Sequence, residues 1–342
     1  MSKYFCSLGL MSGTSGDGVD ASIIQSDGDT EHKVILDKYF KYSQDIYDNI
    51  HTLKDEINDL KDLQNLSKKI QFLEKEITLF HVNVVNEIIK GFKLNIDFVG
   101  FHGQTIFHNA KEKISKQLGD GKLLATLTKK TVIYDFRQND LKNGGHGAPL
   151  SPIFHKLLKE KFKIKKACFV NLGGIINTTS ILDNSFFSGC DIGPGMCLID
   201  QWIRHNSEKK YDEGGKIAKS GKVNKIVLKK LIESLNQKKE ELLTISPYVV
   251  SYDVKDFDLS FVKGLSLKDG AATLVQFTIN TIYSSFKMPD RHEEEIILCG
   301  GGRKNKFLVE KLKEDNARIK SIDDYGVDGD FVESQAFAYL AI

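Results

Sequence analysis

The segment from Met11 to Asp20 reads MSGTSGDGVD. It connects two hydrophobic segments, Tyr4–Leu10 and Val19–Gln25, which predict a buried strand and its antiparallel partner. Glycines at three of the six positions from 13 to 18 permit positive φ angles and allow backbone N–H groups to converge on an anion. The segment therefore predicts a hairpin whose turn binds phosphate. An ordinary long hairpin turn is the alternative, because turns favour the same residue types.

The side chains of the turn extend this hypothesis. Thr14 and Ser15 add hydroxyl donors, whereas the carboxylates of Asp17 and Asp20 only accept and are suited to hold Mg²⁺ beside nucleotide phosphates. The chain contains no GxxxxGK[ST] motif, which excludes a P-loop. The candidate nucleotide-binding residues of the hairpin are Gly13, Thr14, Ser15, Gly16, Asp17, Gly18, Val19 and Asp20.

The rest of the first half continues as an α/β pattern. Val34–Lys41 predicts a third strand, and apolar residues three and four positions apart predict two helices between Ile46 and Gly91. Asp97–Phe101 predicts a short strand that runs into a polar loop, His102-Gly103-Gln104-Thr105. Loops at strand ends commonly bind ligands in α/β folds, so this loop is a candidate binding segment.

The second half repeats the same order. Ala167–Asn171 predicts a strand, Gly173-Gly174 a turn that can approach phosphate, and Ile175–Leu182 the returning strand. Helices are predicted at 196–206, 222–235 and 269–286. Glu295–Cys299 predicts a strand that ends in Gly300-Gly301-Gly302, where backbone can pack against a nucleotide base or ribose. This repetition predicts a duplicated α/β protein with a cleft between the two copies.

Asp191 is the candidate for chemistry. It lies among glycines shortly before the predicted helix at Met196, and a helix N-terminus stabilises nearby negative charge by about 0.3–1 kcal/mol. Asp191 should therefore stay ionised and can serve as a general base. The alternative is a helix N-cap, which is the commoner role of such an aspartate. Pro194 and Gly195 separate it from the helix and argue against simple capping.

Composition sets limits on the function. The chain has 342 residues, of which 41% are hydrophobic and 27% charged, a length that favours two lobes. A formal net charge of +2 gives no reason to expect nucleic acid or an acidic membrane as a partner. Five scattered cysteines without a CxxC pair suit a reducing compartment. The N-terminal apolar run is too short for a signal peptide, so we expect a cytoplasmic protein.

The combination of motifs resembles the sugar-kinase, actin and heat-shock-chaperone superfamily, and within it the anhydro-N-acetylmuramic acid kinase family. Met11–Asp20 is similar to the signature of that family, Phe101–Thr105 to its FHGQT segment, and Asp135–Asp140 to its DFR…D segment. The resemblance covers essentially the whole chain. The further matching segments are 144–150, 171–177, 191–195, 299–305 and a closing helix at 329–341.

The resemblance implies an α/β protein with two related lobes of the actin-like ATPase (ribonuclease H-like) fold and a nucleotide cleft between them. The expected lobes are 1–137 plus 325–342, and 138–324. The family uses ATP to phosphorylate 1,6-anhydro-N-acetylmuramic acid while opening its internal ether, which yields N-acetylmuramic acid 6-phosphate in peptidoglycan recycling. Carried over by position, the base that activates water is Asp191. The family also implies a homodimer.

The candidate substrate-binding residues lie in the polar segment after the strand at Asp97–Phe101 and in the segments around the predicted lobe boundary, near 135–147. They are His102, Gln104, Asp135, Arg137, Gly145 and Gly147. The sequence departs from the family at Val250 and Val254, where Lys and Arg are common. Two alternatives to the anhydro-sugar kinase therefore stay open: a kinase of a different sugar on the same fold, and a non-catalytic regulator that binds ATP or sugar.

Overall fold

The computed structural model describes residues 3–109, 112–182, 187–245, 252–286, 294–316 and 318–342. The strands are β1 (Phe5–Ser12), β2 (Gly18–Ser26), β3 (His32–Lys41), β4 (Phe98–Asn109), β5 (Ile114–Leu118), β6 (Thr131–Tyr134), β7 (Ala167–Leu172), β8 (Ile175–Ile181), β9 (Phe187–Pro194), β10 (Glu295–Cys299) and β11 (Ile319–Ser321). The α-helices are α1 (Gln44–Glu56), α2 (Leu60–Asn65), α3 (Ser67–Gly91), α4 (Gly121–Thr128), α5 (Gln138–Lys142), α6 (Pro152–Lys161), α7 (Cys197–Asn206), α8 (Lys216–Lys219), α9 (Lys225–Ile245), α10 (Leu267–Ser285), α11 (Lys306–Asp315) and α12 (Val332–Leu340).

The chain forms two compact units. The first unit comprises Met1–Lys161 with Phe331–Ile342, and the second comprises Phe162–Asp330. The boundary therefore lies later than the predicted 137/138 and 324/325. Segment 138–161 packs with the first unit, since Gln138 Nε2 donates to the Ser115 carbonyl at 2.8 Å. Segment 325–330 packs with the second unit, where the Tyr325 ring stacks on Phe162 with centroids 4.4 Å apart.

The sheet of the first unit is built around the predicted hairpin. β1, β2 and β3 form an antiparallel meander, and β4 lies parallel to β1 on its other side. β6 pairs in parallel with the first part of β4, and β5 pairs antiparallel with its second part. The strand order is β3-β2-β1-β4, followed by β6 and β5.

The second unit repeats this topology. β7, β8 and β9 form an antiparallel meander, β10 lies parallel to β7, and β11 lies parallel to β10. The order β9-β8-β7-β10-β11 matches β3-β2-β1-β4-β6 strand for strand. This correspondence confirms the predicted α/β class with two related lobes of the ribonuclease H-like fold.

Helix α12 packs closely on the sheet of the first unit at two glycines. A Cβ atom on Gly9 in β1 would lie 1.9 Å from the Ser334 carbonyl oxygen, and one on Gly100 in β4 would lie 2.1 Å from that of Phe337. Only a residue without a side chain allows the helix backbone to approach the strands this closely. The C-terminal helix thereby reaches the β4 segment that carries His102.

The structure corrects two sequence predictions in the first unit. His102–Thr105 is not a loop but lies inside β4, which continues to Asn109. The polar side chains of His102 and Gln104 obscured the strand, although they are only 5% and 0% exposed and find partners inside the protein. The region between Ile46 and Gly91 contains α1, α2 and α3 rather than two helices, because Asp59 caps a separate short helix.

The length and hydropathy of the helices in the described residues decide whether any of them can span a membrane. None of them is long and apolar enough to cross a bilayer.

Candidate active site

The carbonyl groups in the turn of the first hairpin are bound from within the first unit. Those of Gly13, Thr14, Ser15 and Asp17 accept hydrogen bonds from outside the turn. Gln104 Nε2 donates to the Gly13 carbonyl at 3.0 Å, and Lys54 Nζ donates to that of Thr14 at 2.9 Å. His51 Nε2 donates to the Ser15 carbonyl at 2.9 Å. The Asp17 carbonyl accepts from both the Tyr39 hydroxyl and the Tyr42 N–H, each at 3.0 Å. The turn is therefore anchored through its acceptors.

The N–H groups of the same turn differ from its carbonyls in how many of them are hydrogen-bonded to the protein. The Gly16 N–H donates to the Gly13 carbonyl at 3.1 Å, and Gly16 adopts a φ of +61°. In the part of the chain that the structure describes, the N–H groups of Thr14, Ser15 and Asp17 donate to no protein acceptor. A turn with occupied carbonyls and available N–H groups presents a positive surface, which is the polarity required to bind phosphate.

Gln104 ties this turn to β4. Its Oε1 accepts from the Ser12 hydroxyl at 2.6 Å, and its Nε2 donates to the carbonyls of Gly13 and Thr105. The Tyr42 hydroxyl in turn donates to Ser12 Oγ at 3.1 Å. The Gln104 amide is thus occupied by protein groups, so this predicted substrate residue shapes the hairpin.

Replacing Gln104 by alanine is expected to lower the free energy of unfolding of the first unit by about 1–3 kcal/mol, because the Ser12 hydroxyl and the carbonyls of Gly13 and Thr105 each lose one hydrogen bond with a fully buried side chain. Urea unfolding followed by circular dichroism measures this change. Gln44→Ala is the matched control, since Gln44 is exposed and its side chain donates to Asp48, its neighbour one helical turn along α1. Equal unfolding midpoints for the two variants would contradict the anchoring role of Gln104.

His102, which is buried, and Arg137, which is half-buried, form a hydrogen-bonded pair in the first unit. Arg137 donates from Nε and Nη2 to His102 Nε2, at 3.2 and 2.9 Å, and from Nη1 to the Gly147 carbonyl at 2.7 Å. His102 Nδ1 donates to the Gly103 carbonyl at 2.8 Å. Burial, with the adjacent Arg137 charge, holds the pKa of His102 well below its usual range. Burial also lowers the pKa of Arg137 to about 10, and the Glu333 carboxylate opposes that shift.

The loop after Arg137 folds around Asp140. The Gly147 N–H donates to Asp140 Oδ2 at 2.7 Å, and the Gly145 N–H donates to the Asp140 carbonyl at 2.8 Å. A Cβ atom on Gly145 would lie 2.2 Å from Asp140 Oδ2. Asp135 adopts a φ of +61°, and partial burial raises the pKa of its carboxyl group. Four predicted substrate residues, His102, Arg137, Gly145 and Gly147, are therefore joined in one bonded network.

The second hairpin turn lies against the start of α7. The Met196 N–H donates to the Gly173 carbonyl at 2.9 Å, and the N–H groups of Gly195 and Cys197 donate to the Gly174 carbonyl at 2.8 and 3.2 Å. These contacts bind the N–H groups of the N-cap residue Met196, of Gly195 before it and of Cys197, the first residue of α7, and so attach the start of the helix to the turn. Asp191 lies in β9 and does not cap the helix, as Pro194 and Gly195 indicated.

Asp191 is held by backbone on the neighbouring segment. Its Oδ2 accepts from the Tyr252 N–H at 2.9 Å. Burial, and then the Asp191 charge, raises the pKa of the Tyr252 hydroxyl to about 12. Asn177 lies directly opposite Asp191 in the antiparallel β8–β9 pair, so both side chains are on the same face of the sheet.

The departure from the family pattern also lies here. Val254, in a short 3₁₀-helix at Val254–Asp256, has its Cγ2 3.7 Å from the position of a Cβ atom on Gly174. Val250 lies outside the described residues. An apolar side chain thus lies beside the second glycine turn.

The third glycine segment packs at the ends of β7 and β10. Gly300 adopts a φ of +78°, and a Cβ atom there would lie 2.1 Å from Asn171 Oδ1. A Cβ atom on Gly302 would lie 2.8 Å from Leu172 Cβ, whereas one on Gly301 would meet nothing within 4 Å. Gly300 and Gly302 are therefore needed for packing, and Gly301 is open.

Arg303 follows this segment and is fixed by three aspartates. Its Nε donates to Asp323 at 2.8 Å, its Nη1 to Asp330 at 2.6 Å and its Nη2 to Asp328 at 3.1 Å, with 6% of the side chain exposed. Burial opposes the charge, but the hydrogen bonds that Arg303 donates to Asp323 and Asp330 raise its pKa above the ordinary value. Arg303 therefore connects the glycine segment to 323–330.

The carboxylates suited to a metal ion are those of the first hairpin. In the described ranges, no group of three or more His, Cys, Asp or Glu side chains is arranged to hold a metal. Asp20 lies directly opposite Tyr39 in the β2–β3 pair, and the Tyr39 hydroxyl donates to the Asp17 carbonyl at 3.0 Å, so both aspartates lie beside Tyr39. Burial, and then the charges of Asp17 and Asp20, raise the pKa of Tyr39. Two carboxylates fit Mg²⁺, which is usually bound by one or two carboxylates together with waters and substrate phosphates.

Sequence reasoning missed several residues of these networks. His51 and Lys54 lie three positions apart on α1, a spacing that places them on one helix face but carries no motif. Tyr252 contributes a backbone N–H, which no side-chain pattern reveals. Glu333 lies in the first turn of α12, inside the predicted closing helix.

Comparison with known proteins gives the family. A family model described as anhydro-N-acetylmuramic acid kinase matches residues 5–342. The anhydro-N-acetylmuramic acid kinase of Pelagibacter ubique (strain HTCC1062) is 53% identical over 356 residues, covering 100% of this chain and 92% of that protein. That of Rhizobium etli is 35% identical over 349 residues, covering 98% of this chain and 90% of that protein.

Among solved structures, a reductive activator for corrinoid,iron-sulfur protein matches with a TM-score of 0.50 and 11% identity, covering 100% of this chain and 61% of that one. This likeness concerns the fold alone. The family match extends over nearly the whole sequence and includes a relative at 53% identity. The chain therefore belongs to the anhydro-N-acetylmuramic acid kinase family.

Proposed function

We propose that the protein uses ATP to phosphorylate O6 of 1,6-anhydro-N-acetylmuramic acid, and that water opens the 1,6-anhydro ring in the same reaction. The product is N-acetylmuramic acid 6-phosphate, an intermediate of peptidoglycan recycling. The observation that carries the proposal is the Asp191 carboxylate, held by the Tyr252 N–H at 2.9 Å in a chain of this family. A fixed, ionised carboxylate is what activation of a water requires.

The proposed nucleotide contacts are backbone groups of the glycine-rich segments. In the first hairpin, the N–H groups of Thr14, Ser15 and Asp17 bind phosphate oxygens, because the carbonyls of that turn are already occupied. In the second unit, Gly173 and Gly174 bring backbone close to phosphate. The open Gly301, between Gly300 and Gly302, faces the adenosine.

Asp17 and Asp20 are the proposed residues that hold Mg²⁺. Such an ion neutralises charge on the β- and γ-phosphates as the phosphoryl group transfers. Asp17 Oδ1 accepts from the Ser15 hydroxyl at 2.5 Å, which fixes the carboxylate at the tip of the turn.

The proposed reaction couples two displacements. Asp191 accepts a proton from water as the water oxygen bonds to C1 of the sugar and the C1–O6 bond breaks. O6 then bonds to the γ-phosphorus, the bond from that phosphorus to the β-phosphate oxygen breaks, and ADP leaves. Asp191 finally releases the proton to solvent. One carboxylate suffices, because the phosphoryl group rather than a second acid captures O6.

The proposed sugar-binding residues belong to the network in the first unit. Arg137 is half-buried and hydrogen-bonded to His102 and Gly147, and Asp135 lies two residues before it with a raised pKa. Gly145 and Gly147 shape the adjoining loop around Asp140. The other two predicted residues, His102 and Gln104, are already hydrogen-bonded to protein groups, so they are left out of the proposed contacts with the sugar.

A kinase of a different sugar on the same scaffold is the second candidate. Val254 favours it, because an apolar side chain lies beside Gly174 where family members commonly carry a cation. Loss of a charge-assisted hydrogen bond costs about 1.5–3 kcal/mol, enough to change sugar preference.

An assay of substrates decides between these functions. We expect Mg²⁺-ATP and 1,6-anhydro-N-acetylmuramic acid to give ADP and the 6-phosphate in equal amounts, with much slower turnover of N-acetylmuramic acid and N-acetylglucosamine. Faster phosphorylation of another sugar would support the second candidate. Absence of ADP with every sugar would contradict both and favour the non-catalytic regulator. Analytical ultracentrifugation tests the homodimer that we propose from the family.

A further inference from the structure

We propose that His102 is a positioning residue, which orients the Arg137 guanidinium for the sugar and does not contact the sugar itself. The inference rests on the proposed function, because Arg137 is one of the proposed sugar-binding residues. It assigns the two residues different roles, although sequence reasoning grouped them together.

The hydrogen-bonding capacity of His102 is already used within the first unit. A neutral imidazole has one donor and one acceptor. Its Nδ1–H donates to the Gly103 carbonyl at 2.8 Å, and its Nε2 accepts both Arg137 bonds. The ring is 5% exposed and packs on Phe337, with centroids 4.5 Å apart. No polar atom of His102 is left for a ligand.

Arg137, by contrast, keeps donors available. A guanidinium has five N–H groups. In the described part of the chain, one on Nε, one on Nη2 and one on Nη1 are bound by His102 and Gly147, which leaves two. Both ends of the planar group are therefore fixed while two donors remain for hydroxyl, carbonyl or carboxylate oxygens of a sugar.

The neutrality of His102 matters for this role. A carboxylate at position 102 would also orient the guanidinium, but it would cancel much of the charge available to a ligand. A neutral nitrogen acceptor fixes the plane of the guanidinium without neutralising it. Glu333 acts on Arg137 through its charge, and the structure gives it no hydrogen bond to the guanidinium.

Two substitutions of His102 test its hydrogen bond to Gly103 and its hydrogen bonds with Arg137 separately. In His102→Asn, the side-chain amide lies near the former Nδ1 and keeps a donor for Gly103, but offers Arg137 no acceptor. In His102→Gln, the longer side chain places its Oε1 near the former Nε2 and restores that acceptor. We expect His102→Asn to raise the KM for the anhydro sugar by about tenfold or more, with the KM for ATP unchanged. His102→Gln should recover most of the loss.

A double-mutant cycle tests whether His102 affects binding of the sugar through Arg137. In an Arg137→Lys background, His102→Asn should raise the KM for the sugar by less than about twofold, because the residue it orients is already altered. A full tenfold effect in that background would overturn the proposal. So would a His102→Gln variant that is folded, by its unfolding midpoint, but no better than His102→Asn.

A readout without turnover separates this inference from the proposed function. The chain has five arginines, Arg137, Arg204, Arg291, Arg303 and Arg318, so their Nε–H signals are few and Arg137→Lys assigns one of them. The Arg137 Nε–H should exchange its hydrogen with water slowly in the parent and in His102→Gln, and fast in His102→Asn. Equal exchange in all three would refute the positioning role even if the sugar is phosphorylated. Slow exchange in an enzyme inactive on the sugar would reject the proposed function alone.

Discussion

Replacing Asp191 by asparagine is expected to lower kcat by about 100- to 10,000-fold, the range that general-base catalysis contributes. The asparagine amide oxygen can still accept the Tyr252 N–H, so the local geometry should persist. The amide cannot take a proton from water, which removes the activation step itself. The KM for ATP should change by less than about twofold, because the proposed nucleotide contacts are backbone groups elsewhere.

A coupled ADP assay and ATP titration measure the two effects of Asp191→Asn. Asp258→Asn is the control, since Asp258 is an exposed aspartate of the same unit that binds only the local Ser260 turn. Reaction in ¹⁸O-water with the parent enzyme should place the label on C1 of the product. Turnover of Asp191→Asn close to that of the parent would remove Asp191 from the mechanism.

The two hairpins illustrate what sequence can predict. Each consists of a short apolar strand, a glycine turn and a returning strand, all within about 20 residues, so local patterns suffice. The five-strand order of each unit requires strands β4 and β10 to pair across long stretches of chain. The repeated pattern of strands and helices, together with the family resemblance, predicted the fold to which this strand order belongs, and the structure confirmed that fold.

The His102–Thr105 segment shows where local reasoning fails. Gln104 is polar, yet it is fully buried because its partners, Ser12 and Gly13, lie about 90 residues away. Periodicity counts such residues as exposed and ends the strand too early. Their burial follows from partners that only the folded chain brings together.

The polarity of the first turn was equally beyond sequence reasoning. Glycine and serine content predicts a turn, but not which backbone groups are occupied. His51 and Lys54 of α1 bind the carbonyls and thereby leave the N–H groups for a ligand. The assignment of this turn to phosphate stays a prediction, now supported by a specific arrangement of donors and acceptors.

Replacing Arg303 by glutamine is expected to lower the free energy of unfolding of the second unit by about 2–4 kcal/mol. This loss is smaller than the loss on breaking a fully buried ion-pair network, because the aspartates are partly exposed. The substitution leaves Asp323, Asp328 and Asp330 close together without their shared cation. Trp202, the only tryptophan of the chain, is buried on α7 in the same unit, so its fluorescence follows this unfolding directly.

Lys304→Gln is the matched control for Arg303→Gln. Lys304 pairs with Asp330 but is 63% exposed, so its loss should cost less than about 1 kcal/mol. An equal cost for both variants would show that the buried three-aspartate arrangement stabilises the unit no more than an exposed ion pair does.

The pH dependence of the Arg303→Gln effect has a defined sign. Burial opposes ionisation, but hydrogen bonds from Arg303 and Ser321 lower the pKa of Asp323, and those from Lys304 and Arg303 lower that of Asp330. Their stabilisation is therefore complete above the ordinary aspartate pKa of about 3.9 and is lost as the pH falls through the lower folded values. The difference between parent and variant should stay constant from about pH 5 to 8 and narrow below about pH 4. A difference that stays constant below pH 4 would mean that Arg303 stabilises the unit by packing rather than by its charge.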